Sequence, residues 1–199
     1  MKANTKKYAA NGGYERSEDI QLKDSFAGIL AEFATLDFLN RNYPQSAKRP
    51  IVTNIKNQID IEWDYRNEKV YIEVRSSFVK NGIDFALYAV DNRTGRTFFD
   101  IIGPYYQLRY KKDYETTKDL YFRVFFEGDK TRFIDNYISK NAPFYLVGAM
   151  SGKDIIMQGI KKTMSSYELN IKKNHGGDYF TAPIDKILDI EEFLNQFHP

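Results

Sequence analysis

Gln58-Ile59-Asp60-Ile61-Glu62-Trp63-Asp64 alternates polar and apolar residues, and so does Glu68-Lys69-Val70-Tyr71-Ile72-Glu73-Val74-Arg75. Strict alternation over a run of this length is the pattern of a half-buried strand. It predicts Ile59, Ile61 and Trp63 on the core face of one strand, with Val70, Ile72 and Val74 beside them on the next. Tyr65-Arg66-Asn67-Glu68 lies between the two runs. A tight turn centred on Arg66-Asn67 fixes the register. Tyr65 then faces Glu68, Ile61 faces Ile72, Asp60 faces Glu73 and Gln58 faces Arg75. Directly opposed residues have Cβ atoms about 4.5–5.5 Å apart, where like charges repel. Asp60 opposite Glu73 therefore predicts a cation between them. Arg75, two residues after Glu73, points to the same face.

The period changes to helical upstream, between about Ile20 and Asn42. Phe26, Ile29, Leu30, Phe33 and Leu36 fall on one stripe at helical spacing, and Tyr43-Pro44 marks the end. Asp24 or Ser25 is the expected N-cap of a late-starting helix. Gly28 and Glu32, four apart, stand one above the other on a flanking face. A mid-helix glycine costs roughly 1 kcal/mol against alanine, so Gly28 is expected to allow another backbone to approach.

Asp60, twelve intervening residues and Glu73-Val74-Arg75, with this helix before them, resemble the core of the PD-(D/E)XK nuclease superfamily, which includes many restriction endonucleases. The resemblance covers roughly residues 24–78. Ile59 stands where the motif has a weakly kept proline, and Arg75 where it has lysine. The resemblance implies that Asp60 and Glu73 bind a divalent metal, Mg²⁺ or Mn²⁺, and that an acid on the preceding helix, here Glu32, assists. It also implies a metal-dependent endonuclease acting on DNA phosphodiester bonds, of which type II restriction endonucleases are one form, and a restriction endonuclease-like core. A single site per chain cutting both strands favours a homodimer. A catalytically inactive nuclease-like domain that binds nucleic acid or a partner protein is the alternative. An unrelated α+β interaction module with solvated acids also stays open.

The chemistry asks for hard oxygen ligands. Asp60 and Glu73 offer carboxylates from adjacent strands, and the Val74 carbonyl is a third candidate. Arginine stays protonated in proteins, so Arg75 would stabilise charge on the phosphate without acting as a base. Lys80 is the nearest downstream lysine that would substitute. With no Cys and two His, the sequence points away from zinc.

At 199 residues the chain suits one domain around one core. A hydrophobic content of 42% and a charged content of 28% are ordinary for a globular protein. No stretch approaches the ~18 apolar residues of a membrane span, and no apolar run follows the lysines of residues 1–7. With the missing cysteines, this leads to the expectation of a cytoplasmic protein. The net charge of +2 permits nucleic-acid binding through a local patch without advertising it.

Residues 1–19 read as a polar lead-in, about 24–90 as the catalytic core, and about 100–182 as DNA-recognition or dimer elements. Residues 50–55, 85–90, 97–102, 120–126 and 144–150 read as strands, with Gly103-Pro104 ending the third. Thr131–Ser139 is expected as a helix with Phe133, Ile134, Tyr137 and Ile138 inward. Residues 153–182 are expected to hold a small peripheral hairpin, and 184–197 a helix with Ile187, Ile190, Phe193, Leu194 and Phe197 inward. Glu62 and Asp64 are expected at the surface, Asp64 facing Lys69. His175 reads as a loop residue. The lysine pairs 111–112, 161–162 and 172–173 read as solvated charge, or as phosphate contacts where they line a cleft. Together these give an α/β (α+β) single domain with a central mixed β-sheet flanked by helices.

Overall fold

A computed structural model describes residues 17–51, 59–107, 116–140, 143–164 and 177–198. Gln58, most of the strand expected over 50–55, the lysine pairs 111–112 and 172–173, His175 and nearly all of the lead-in lie outside the described residues. In chain order the elements are α1 (Glu18–Asn42), β1 (Ala47–Lys48), β2 (Ile61–Tyr65), β3 (Glu68–Val79), α2 (Ile83–Tyr88), β4 (Val90–Asp91), β5 (Arg96–Thr97) and β6 (Asp100–Gln107). There follow β7 (Leu120–Glu127), α3 (Phe133–Lys140), β8 (Phe144–Ser151), α4 (Gly152–Met157), β9 (Ile160–Met164), β10 (Gly177–Pro183), β11 (Leu188–Asp189) and α5 (Ile190–Gln196).

The hairpin forms in the expected register: Tyr65 pairs Glu68 and Ile61 pairs Ile72. Arg66 and Asn67 both take positive φ, 51° and 67°. A two-residue turn with both central residues left-handed is the type I′ geometry, whose twist matches that of the flanking strands. Around the hairpin stands a six-stranded mixed sheet in the order β1-β2-β3-β7-β8-β11. The β3–β7 pair is parallel, with Arg75 beside Arg123, and the other pairs are antiparallel.

β7 is buried on both faces, and its alternate residues show what covers each. Leu120, Phe122, Val124 and Phe126 face α1, α3 and α5, where Leu39, Trp63, Ile72, Phe133 and Phe193 pack. Tyr121 and Phe125 face the other way, toward Ile101, Ile155, Ala182 and Ile184. There a three-stranded sheet, β6-β10-β9, covers the central one together with α2 and α4. The arrangement is α+β, three layers deep. No helix among the described residues is long and apolar enough to cross a membrane.

Several expectations change in this setting. The α1 cap is Ser17, whose hydroxyl accepts from the Ile20 N–H at 3.3 Å, not Asp24 or Ser25. Its buried stripe is Ala27, Ala31, Thr35 and Leu39, one residue per turn. These small side chains let the helix lie close to the sheet, while Phe33 is 49% exposed. Among the described residues nothing lies within 4 Å of a Cβ built on Gly28. Close approach is therefore served by the alanines and not by the glycine.

The run Phe85–Val90 is mostly helix α2 rather than a strand. Gly82 caps it, and Ala86 packs beneath Val79, Phe125 and Ile184. Gly103-Pro104 does not end a strand. β6 runs through it as the outer strand of its sheet, where a missing N–H is tolerated. The hairpin within 153–182 exists as β9 and β10, but it is not peripheral, since Tyr179, Thr181 and Ala182 are buried. Ile138 points outward at 73% exposure. The expected C-terminal helix is shorter: residues 184–186 form a 3₁₀ turn and β11 intervenes. Asp189 then caps α5 in a reciprocal box with Glu192. At Gly148 a Cβ would stand 2.1 Å from the Leu188 carbonyl oxygen, so only glycine lets β11 pair there.

Candidate active site

β2 stops pairing with β3 at Ile61, and what replaces the ladder is a side chain. The Asp60 N–H donates to the Ile72 carbonyl at 3.2 Å, and its Oδ2 accepts the Val74 N–H at 2.8 Å. The carboxylate thus takes the place of the next strand bond and is anchored against β3, adjoining Glu73. The Val74 carbonyl points to the same edge of β3 as its N–H, as the strand ladder requires. The Val74 side chain packs into the core below α1.

The electrostatics follow from this placement. Burial pushes the Asp60 carboxyl up to about 7, the neighbouring Glu73 carboxylate adds to the shift, and Glu32 adds further. The Val74 N–H and the Arg75 guanidinium oppose it without prevailing. Glu32, from α1, is also raised, because burial outweighs the attraction of Arg49, and Glu73 pushes in the same direction. The three acids named from the sequence are therefore brought within electrostatic reach of one another from three elements.

Two of the three carry an internal cation. Arg49 Nη2 is 2.6 Å from Glu32 Oε2, and its guanidinium lies over the Phe33 ring at 5.1 Å. Arg75 Nη2 is 2.8 Å from Glu73 Oε1, and its guanidinium lies 5.7 Å from the Tyr179 ring centre. The Tyr179 ring stacks on Tyr105 at 4.3 Å, with the two hydroxyls 2.8 Å apart. Arg123 is 1% exposed. It donates to the Arg75 carbonyl at 3.3 Å and to the Ser77 hydroxyl at 2.8 Å. Burial lowers its guanidinium to about 9, which leaves it charged at neutral pH.

Lys80 does not reach this cluster. It meets Asp129 at 3.4 Å near the far end of β3. Asp64 pairs across from Lys69 as expected, but the Lys69 ammonium turns to Glu62, which Lys48 also approaches at 3.3 Å. Glu62 is therefore held between two lysines and is not simply solvated. Lys162 reaches the buried Asp100 at 2.9 Å, so this member of its pair is structural. Arg49, Arg123 and Tyr179 were not singled out from the sequence. A charge in the otherwise apolar run Leu120–Phe126 was a signal for Arg123. Arg49 and Tyr179 are brought in by tertiary contacts, and their neighbours in sequence announce nothing.

In kind, the oxygens of Asp60, Glu73, Glu32 and Val74 suit a hard divalent ion. With Glu32 turned to Arg49 and Glu73 to Arg75, no three His, Cys, Asp or Glu side chains among the described residues form a ready metal-holding group. No protein-family model, curated protein or solved structure matches the chain.

Proposed function

We propose that the chain is a metal-dependent endonuclease acting on DNA, with Asp60 and Glu73 as the principal metal ligands. The observation that carries this reading is the Asp60 carboxylate. It is half-buried beside Glu73 and within reach of Glu32, and its affinity for a proton is raised by both. Burying like charges together destabilises a fold unless a cation relieves it. Perturbed acids of this kind cluster at functional sites.

In this reading Asp60 and Glu73, with the Val74 carbonyl, hold Mg²⁺ or Mn²⁺, and Glu32 assists from α1. A divalent ion held there would supply positive charge against phosphate oxygens and would lower the pKa of a water toward neutrality. Arg75 stabilises negative charge gathering on the phosphorus oxygens, a task for a fixed cation and not for a base. Tyr179 and Arg123 fix where Arg75 stands. The substrate is DNA and the assembly a homodimer with one site per chain. Asp60→Ala and Glu73→Ala should each abolish Mg²⁺-dependent cleavage of plasmid DNA while circular dichroism stays unchanged. Undiminished cleavage by both removes the reading.

A second reading, a nuclease-like domain that binds nucleic acid or a partner without cutting, is favoured by the same two ion pairs. Glu32 and Glu73 are already neutralised by arginine. Arg75→Lys separates the two. Cleavage gained from none marks a decayed site, and cleavage reduced from a real rate marks Arg75 as a working residue.

A further inference from the structure

The acids of the cluster differ in how they are satisfied. Asp60 has a backbone N–H and no ion pair within 4 Å among the described residues, whereas Glu32 and Glu73 each hold a guanidinium at 2.6 and 2.8 Å. Both arginines come from outside the acid they serve: Arg49 from the connector after β1, and Arg75 from two residues along β3. Both pairs are partly open to solvent, with the arginine side chains 41% and 22% exposed and their acids near 15%. A pair in that setting contributes little, on the order of 1 kcal/mol or less, and is readily exchanged. A carboxylate whose charge is already paired with a guanidinium attracts a metal ion less strongly.

We propose that Arg49 and Arg75 are built-in counter-ions that occupy Glu32 and Glu73 until a divalent ion binds, and are then released toward the phosphates of the nucleic acid. This rests on the nuclease-type reading of the site and adds a use for Arg49, which that reading leaves without one. The arginines and the ion compete for the charge of the same carboxylates, so removing an arginine should tighten metal binding even as it weakens cleavage. A residue that merely props up the site would lose both together.

The test is calorimetric titration of the full chain with Mn²⁺, without DNA, for wild type, Arg49→Gln, Arg75→Gln, Arg49→Lys and Arg75→Lys. Arg41→Gln serves as a control, because Arg41 holds Asp37 at 2.8 Å on the exposed side of α1. Each of the two site Gln variants should bind Mn²⁺ roughly two- to tenfold more tightly. The Lys variants should shift in the same direction by a smaller factor, and Arg41→Gln should not change. Thermal unfolding of each variant shows whether it is folded at the titration temperature. Where a Gln variant is not folded, the Lys variants decide, since lysine is the weaker, more mobile partner and should show a smaller shift in the same direction.

Metal binding that is unchanged or weakened in the folded variants overturns the exchange and leaves the nuclease reading standing. An equal gain in Arg41→Gln also overturns it, because net charge alone then explains the effect. No Mn²⁺ binding by any form removes the exchange and the metal-dependent reading together.

Discussion

The two faces of the central sheet are built from the same strands by alternate residues, and they are held in opposite ways. Toward α1 and α5 the face is aromatic and dry: Trp63 lies among Tyr43, Tyr65, Phe193 and Phe197, with ring centres 4.7 to 5.9 Å apart. On the other face Glu73, Arg75 and Arg123 stand side by side, with the buried Asp100 close enough to act on Arg123. The first face gains stability in proportion to the apolar area removed from water. The second buries charge, which seldom gains stability over a well-packed apolar alternative. Charge concentrated where the hairpin stops pairing is hard to justify as scaffolding, which is the ground for the function proposed there.

The sharpest way to break this comparison is a matched pair of core substitutions. Trp63→Ala should cost roughly 3–5 kcal/mol in urea unfolding, since it removes a fully buried ring and leaves a cavity. Trp63 is the single tryptophan, so far-UV circular dichroism must follow the transition. Arg123→Met should change stability by less than about 2 kcal/mol. It makes two hydrogen bonds, and its Nε has no hydrogen-bond partner among the described residues. Equal losses would mean that the charged face is scaffolding after all.

A second measurement sharpens the same contrast through pH. The Asp60 carboxyl is raised from 3.8 to about 7 in the folded chain. Between those values the unfolded chain releases this proton and the folded one keeps it, so Asp60 makes stability fall as pH rises from about 4 to about 7. Above that window its effect is constant. At about 1.4 kcal/mol per pKa unit the full effect is at most about 4 kcal/mol. Asp60→Asn keeps a carbonyl oxygen for the Val74 N–H and cannot ionise. In chelator, the variant should be more stable than wild type at pH 7.5, with the difference shrinking toward pH 4. A constant difference across that range would detach Asp60 from the acid cluster.

The dry face was far easier to read from the sequence than the charged one. Alternation and a turn of two left-handed residues define the hairpin locally, so its register and the Asp60–Glu73 proximity follow from a few neighbours. α2 was misread because a short run that is apolar throughout, Phe85–Val90, suits a strand as well as a helix. Gly82 and the seat beneath Val79 and Phe125 decide between them, and only the second is tertiary. The Glu32–Arg49 ion pair and the Arg75–Tyr179 contact were out of reach for the same reason, whereas the Glu73–Arg75 pair follows from their shared strand face. Glu32 meets Arg49 across a connector, and Arg75 meets Tyr179 from a strand a hundred residues later. Sequence order carries no trace of such contacts.

The smallest expected effect lies on α1. Gly28 sits one turn before Glu32, and its side toward a Cβ is empty to 4 Å among the described residues. If α1 needed the glycine for packing, alanine would clash there. With no neighbour to meet, Gly28→Ala should instead stabilise the fold by roughly 0.5–1 kcal/mol through helix propensity alone, read as a rise in the urea midpoint at unchanged slope. The same variant then asks a functional question. A gain in stability with unchanged DNA cleavage makes the glycine incidental. A gain in stability with weakened DNA affinity means the space beside Glu32 is kept open for the substrate, which would extend the working region from the charged face of the sheet onto the helix.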